Sequence, residues 1–518
     1  MTRISIVAAL AAAVLLGACV GTADVTAPGA PERVRARGLV TIDPVATCDG
    51  VLVPAAECQA LVALYNATDG ANWTQRTNWG LGNNPCLWYG IVCSQGLNGH
   101  VVAVELRQNA LAGPIPAELA ALTELAVLDL TWNALTGDIP AALGTLAKLE
   151  RLELSINDLT GGIPATLANL STLKVLALGQ NDLGGSIPAA LGGLASLEQL
   201  YLENADLTGS IPAALGALAS LKHLDLDLNA LSGTIPAALG GLSSIESLAM
   251  GYNDLTGPIP AELGSLTTLR ALSLPVNALT GAIPASLGGL TQLQSLNLRG
   301  NALTGPIPAS LGNLAQLKFL ELYDNAITGG IPASFGHLAS LEYLVLRGNQ
   351  LTGEIPASLA AMTGLKAANL ENNQLSGVLP LAVAGWDELF VECALAPGND
   401  GLLVPDLPGY RALDHDADGT ICGVPFVTVE EVEDDVVEDI EELVPGTLNG
   451  GQGNALLTKF EHAVGKASQG QYQVAINLMN AFIGQVNDMM AAGTLTPEQG
   501  TPLVQQAQLL IVAWTALL

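Results

Sequence analysis

Leu125-Ala126-Val127-Leu128-Asp129-Leu130-Thr131-Trp132-Asn133-Ala134-Leu135-Thr136-Gly137-Asp138-Ile139-Pro140-Ala141-Ala142-Leu143-Gly144-Thr145-Leu146-Ala147-Lys148 is one turn of a pattern that begins again at Leu149. The 24-residue unit reads L-x-x-L-x-L-x-x-N-x-L-x-G-x-I-P-x-x-L-x-x-L. It recurs twelve times, without insertion or deletion, from about Val101 to Pro380. Its Asn falls at Asn109, Asn133, Asn157, Asn181, Asn229, Asn253, Asn277, Asn301, Asn325, Asn349 and Asn373, with Ala205 in the fifth slot. A fixed period in this range is the signature of a solenoid, in which each unit touches only its neighbours. Such a chain offers a long surface rather than a catalytic pocket.

Each position in the unit has a physical task. The L-x-L core has period two, so it predicts a short strand with both Leu on one face. Successive copies stack these strands in parallel, roughly 4.8 Å apart. The Asn side chain points into a Leu-lined interior and is tolerated there only if hydrogen-bonded, which predicts an Asn ladder along the stack. Ala205 leaves a gap in it, which Asn204 or Asp206 is placed to fill. Ile-Pro forces extended backbone and then fixes φ. The P-x-x-L-x-x-L stretch predicts a short helical turn on the outer side. About seven apolar side chains per copy contribute roughly 1.5–3 kcal/mol each. Ordering costs about 1–2 kcal/mol per residue, so one repeat cannot stand alone and a dozen can.

The L-x-G-x-I-P signature resembles the plant-type extracellular leucine-rich repeat of receptor-like kinases and polygalacturonase-inhibiting proteins. The resemblance covers all twelve copies, and secreted bacterial proteins share the repeat. It implies an α/β solenoid with a parallel sheet on a concave face and a disulfide-stapled cap at the end. Pro85-Cys86-Leu87-Trp88-Tyr89-Gly90-Ile91-Val92-Cys93 resembles the N-terminal cap of such repeats, P-C-x-W-x-G-V-x-C. The first rung exposes a Leu edge that must be covered. Trp73, Trp79 and Trp88 are therefore read as capping core rather than a sugar-stacking platform.

Composition sets the class of partner. The chain has 518 residues, 13% of them charged, and a net charge of −30. That balance excludes nucleic acid, whose phosphates need clustered Lys and Arg. The N-terminus reads as an export signal, with Arg3 followed by an apolar run from Ile4 to Leu16. Leu16-Gly17-Ala18-Cys19 resembles a bacterial lipobox, which implies lipidation at Cys19. An acyl anchor would then be the sole link to a membrane. Val20 after the Cys favours the bacterial outer membrane or cell surface. Six further cysteines, Cys48, Cys58, Cys86, Cys93, Cys393 and Cys422, suggest three disulfides outside the cell. Proximity favours 48–58, 86–93 and 393–422, although sequence allows fifteen pairings.

The segments follow from these signals: 1–19 signal peptide with lipobox, 20–46 tether, 47–100 N-terminal cap, 101–380 solenoid. Residues 381–426 form a C-terminal cap containing Asp414-His415-Asp416-Ala417-Asp418-Gly419-Thr420-Ile421-Cys422. Alternating Asp with Gly in sixth place wraps oxygen ligands around Ca²⁺. The run resembles the D-x-D-x-D-G-x-x-C loop of excalibur-type domains, which implies a structural calcium held by Asp414, Asp416 and Asp418. Pro425 stands where an EF-hand has its bidentate Glu. Nine acids between Glu430 and Glu442, interleaved with Val, are read as a self-repelling spacer over 427–452. Residues 453–518 predict a three-helix bundle, broken at Gly470 and Gly493, with Pro497 opening the third helix.

Function is expected on the solvent side of the strands. Trp132, Tyr201, Glu203, His223, Asp225, Asp227, Tyr252, Phe319, Tyr323 and Tyr343 are the candidate ligand-binding residues. Arg299 and Arg347 share that face. Aromatic rings flanked by charge suit a protein, peptide or polysaccharide, and the acids from Glu203 to Asp227 favour a cationic segment. No catalytic residue is assigned: the five His fall in no nucleophile or zinc motif, and Asp225 with Asp227 lies on an open face that excludes water poorly. The expected function is non-enzymatic extracellular recognition. Its alternatives are cell-surface adhesion and inhibition of polysaccharide-degrading enzymes.

Overall fold

The computed structural model describes Cys48 and residues 52–81, 84–95, 99–380, 383, 393–394, 398–399, 401–405, 420–421, 424–443, 447–448 and 450–515. Each 24-residue unit contributes a short strand, three residues long after the first, such as Val127–Asp129, Arg151–Glu153 or Gln199–Tyr201. These strands form one long sheet of fourteen, parallel throughout except for its first member, Ile91–Cys93, which pairs antiparallel with Val101–Glu105. The register is uniform: Leu152 lies beside Leu128 and Leu176, and Leu224 beside Leu200 and Leu248. All of these Leu are at most 1% exposed, so the predicted apolar face is the core. The opposite edge of each unit carries a five-residue 3₁₀ helix opened by the Pro, as at Ala141–Thr145 and Ala165–Asn169.

The Asn ladder forms as its buried amide demands. Asn157 Nδ2 donates to the Leu130 carbonyl of the preceding unit (3.1 Å) and to Leu154 (2.9 Å). Its Oδ1 accepts from Leu135 N–H (3.0 Å). One side chain thus ties two rungs together, and the same three bonds recur at Asn181, Asn253 and Asn349. At Ala205 the backbone keeps the stack. Its N–H donates to Asn229 Oδ1 (3.1 Å), and its carbonyl accepts from Gly184 N–H (3.1 Å).

A second row of short strands follows the Asn, as at Ala134–Asp138 and Ala230–Thr234. It is split into a three-stranded and an eleven-stranded sheet at the fourth unit. There Gly184 stands where most units have Thr, and both Gly184 and Gly185 have positive φ (66° and 69°).

The N-terminal cap is built from α1 (Ala55–Ala67) and two disulfides, Cys48–Cys58 and Cys86–Cys93. Tyr65, Trp73, Trp79 and Trp88 pack ring against ring with centroids 4.9–5.8 Å apart. All four are nearly fully buried, so they are core. Buried Glu57 anchors the first rung, accepting from Val101 N–H (2.8 Å) and facing His100 Nδ1 (2.6 Å).

The C-terminal side differs from expectation in two ways. The stack continues past Pro380. Strand Cys393–Ala394 joins Ala367–Asn369, Gly401–Pro405 joins Gln374–Val378, and Asn399 takes the ladder position, accepting from Leu375 N–H (2.9 Å). The Asn373 to Asn399 spacing is 26 residues rather than 24, which hides this rung from a strict period. The acid-rich stretch is also no spacer. It forms helix α2 (Val429–Leu443), with Val432, Val436 and Ile440 buried at i, i+4 and i+8. Thr428 and Glu431 cap it reciprocally. With α3 (Gly450–Ala467), α4 (Tyr472–Ala491) and α5 (Pro497–Thr515) it makes a four-helix region rather than three. α5 packs against strand Gln374–Val378, so the helices close the end of the solenoid. No helix among the described residues is long and apolar enough to cross a membrane.

Cys19, Asp414, Asp416, Asp418 and Cys422 lie outside the described residues, as does the side chain of Cys393. The lipidation, calcium and third-disulfide expectations fall there.

Candidate ligand-binding face of the long sheet

The solvent side of the long sheet is a grid. Residues two and four positions before each Asn slot form columns running from rung to rung, because adjacent strands are in register. Tyr201 and Asp225 are direct cross-strand partners, as are Phe319 and Tyr343. Two clusters emerge from this geometry.

The first spans the fifth and sixth units. Glu203, Asp225 and Asp227 sit half-buried, beside Tyr201. The Asp225 carboxylate accepts from Asp227 N–H (3.0 Å), and the Asp227 carboxylate accepts from Gly251 N–H (2.5 Å). Glu203 Oε2 is buried with no hydrogen-bond partner. Burial first, then the Asp225 charge, push the Glu203 carboxyl up to about 7. The same two causes raise Asp227 to about 7, and burial raises Asp225. Burial and these acids likewise raise the Tyr201 phenol. Each of these groups is therefore held in an environment that resists its own charge. His223 is on the same strand, beside Gln199. Among the described residues no group of three carboxylate, His or Cys side chains is arranged to hold a metal ion.

The second cluster spans the seventh to eleventh units. Arg299 donates to the hydroxyls of both Tyr252 and Tyr323 and lies near both ring faces, with centroids at 5.8 and 5.4 Å. Its Nε is buried and without a hydrogen-bond partner. Arg347 also lies over Tyr323 (4.7 Å to the centroid) and reaches Asp324 (3.4 Å). Phe319 and Tyr343 stack with centroids 5.1 Å apart and planes 11° from parallel. The result is a ledge of aromatic rings braced by two guanidinium groups.

Nine of the ten sequence-selected residues thus fall into these two clusters or on the strand between their columns. Trp132 does not. It sits at the left-handed turn before Asn133 (φ 58°), 51% exposed, and makes no ring contact with another aromatic among the described residues. Arg299 was recognisable as solvent-facing, but not as the bridge between two tyrosines in different units. The signal was present: Arg299, Tyr323 and Arg347 are 24 residues apart and so share one column.

Comparisons with known proteins agree with this architecture. A model described as "Leucine-rich repeat region" matches residues 164–306, and one described as "Leucine Rich Repeat" matches 148–170, 316–338 and 340–362. Leucine-rich repeat extensin-like protein 7 of Arabidopsis thaliana is 38% identical over 72 residues, 13% of this chain and 16% of that protein. The PEPR1–AtPEP1 structure is 28% identical with a TM-score of 0.54, covering 72% of this chain and 58% of that one. A TDR receptor structure is 29% identical with a TM-score of 0.51, covering 60% and 57%. The chain spans less than two thirds of each of these relatives. Period, rung-to-rung register and matched repeats converge on a leucine-rich repeat solenoid, which resembles plant receptor-like ectodomains.

Proposed function

We propose that this chain is a non-enzymatic extracellular recognition protein that binds a protein, peptide or glycan on the open face of its long sheet. The observation that carries the reading is the cluster of Glu203, Asp225 and Asp227. A solvent face built only for solubility has no reason to hold three half-buried carboxylates where burial and mutual repulsion disfavour their charge. The aromatic ledge adds the rigid, low-entropy rings that anchor interfaces. The solved PEPR1 structure is one with AtPEP1, and it covers 72% of this chain. Cys19 as an acyl anchor, and Asp414, Asp416 and Asp418 as ligands of a structural calcium, complete the proposal as elements of placement and end stability.

The test is a screen of the purified chain on peptide, protein and glycan arrays, in parallel with a Tyr201→Ala, Glu203→Gln, Asp225→Asn triple variant. The reading expects discrete ligands that the variant loses while its circular dichroism stays native-like and its unfolding midpoint is no lower than the wild-type value. Retention of every hit by the folded variant would contradict it.

A further inference from the structure

Many carboxylates along this sheet sit beside a cation. Along the rim, Glu150 pairs with Lys174 (2.7 Å), Glu198 with Lys222 (2.6 Å), Glu246 with Arg270 (3.5 Å) and Glu342 with Lys366 (2.5 Å), each one unit apart. On the face itself, Glu153 pairs with Arg151 (2.5 Å) and Asp324 with Arg347 (3.4 Å). Glu203, Asp225 and Asp227 have no such cation within ion-pairing distance among the described residues, although they are more buried than the paired rim acids. Ion pairs one unit apart are readily built in a 24-residue period, yet Glu203, Asp225 and Asp227 bring three half-buried carboxylates together in adjacent units without one. The three units between Asp225 and the ledge carry short side chains at several face positions, Ala249 and Gly251, then Ala271 and Ser273, then Ser295 and Asn297, alongside the Tyr252–Arg299 pair.

Resting on the reading of this face as a ligand surface, we infer that its occupant is a cationic polypeptide segment in extended form, running across the strands. A Lys or Arg side chain of the partner seats among Glu203, Asp225 and Asp227. An aromatic or large apolar side chain further along seats on the Phe319–Tyr343 ledge. Charge complementarity commits the first position, because a partner cation relieves the repulsion among three ionised carboxylates without moving them. The stacked rings commit the second. The geometry also sets a spacing. Four strand steps separate Asp225 from Phe319. At roughly 4.8 Å per step this is about 19 Å, and an extended chain covers that in about six residues.

The inference separates binding from stability. If the three carboxylates were structural, neutralising one would weaken the fold. If they are kept for a cationic partner, Glu203→Gln leaves the free protein as stable or more stable while weakening binding. The experiment uses the full chain and capped synthetic peptides holding one Arg and one Phe, separated by Gly-Ser spacers of about two to ten residues, read by fluorescence anisotropy at low and high salt. Affinity is expected to peak at a separation of about six residues and to fall with salt. It is expected to drop at least about tenfold with Glu203→Gln/Asp225→Asn, and to lose its spacing optimum with Phe319→Ala. Spacing-independent binding, or binding unaffected by the Glu203→Gln/Asp225→Asn pair, overturns the inference. If instead the array screen yields an acidic or uncharged ligand, or a glycan, that the Tyr201 variant loses, the ligand-surface reading survives and this inference fails. If no probe of any class binds, both fail.

Discussion

Glu203 and Asp227 give the free protein an unusual pH response. Their folded-state values near 7 lie above the ordinary 4.5 and 3.8, so between those limits the native chain holds protons the unfolded chain has released. Stability contributed by these groups therefore falls as pH rises from about 4 to about 7, and the penalty is complete above pH 7. Tyr201, His223, Glu153 and Asp225 share the neighbourhood, and Asp225, itself raised by burial, adds in the same direction. Glu203→Gln is expected to raise the thermal midpoint at pH 8 and to flatten the slope between pH 5 and 7; a lower midpoint at pH 8 would contradict the assignment. A second residue-scale prediction concerns the ladder. Asn157→Ala removes three inter-rung and intra-rung hydrogen bonds from a buried site and should cost about 2–4 kcal/mol in denaturant unfolding. A third concerns strain. Val276 is β-branched yet sits in the left-handed region (φ 51°), 43% exposed. Val276→Asn keeps the backbone bonds and should gain on the order of 1 kcal/mol. At this scale the ladder was fully legible, because burying an amide dictates its partners. The raised carboxyl groups were not, since burial of Glu203 depends on its neighbours in adjacent units.

Elements were legible in proportion to how strictly they keep a period. The strands, the Pro-initiated 3₁₀ turns and the capping Trp cluster follow from the repeat and from the need to cover an apolar edge. The 48–58 and 86–93 disulfides follow from proximity. The rung containing Asn399 was hidden by a two-residue slip in spacing. Helix α2 was hidden by its charge: nine acids dominate the composition, while the three apolar residues that decide its fate lie four apart. Its capping pair predicts a measurable cost. Thr428→Ala should destabilise the helical region by about 1 kcal/mol. Val436→Asp should go further and detach α2 from α5, visible as early loss of helical circular dichroism while the solenoid transition persists. If both variants melt with wild-type helicity, α2 is not part of that core.

At the scale of the whole molecule, one linear stack is closed at its two ends by different means. Aromatic rings and disulfides seal the first rung, and helix α5 packs on the strands at the other end. The sheet face between them is left open, with its acids and rings in separate clusters several rungs apart. The repeat period identified this face, and its columns placed nine of ten candidate residues in or between those clusters. It did not reveal which carboxylates lack a cation, because that depends on rotamers across three units. The claim that this face holds the ligand is tested most directly by a hydroxyl-radical footprint of the full-length chain, alone and with a bound hit from the array screen. The account predicts protection of Tyr201, Tyr252, Phe319 and Tyr343, with the capping Tyr89 and the helical residues unchanged. Protection confined to the 3₁₀ side, the cap or the helices, with those four rings as reactive as in the free protein, would contradict it.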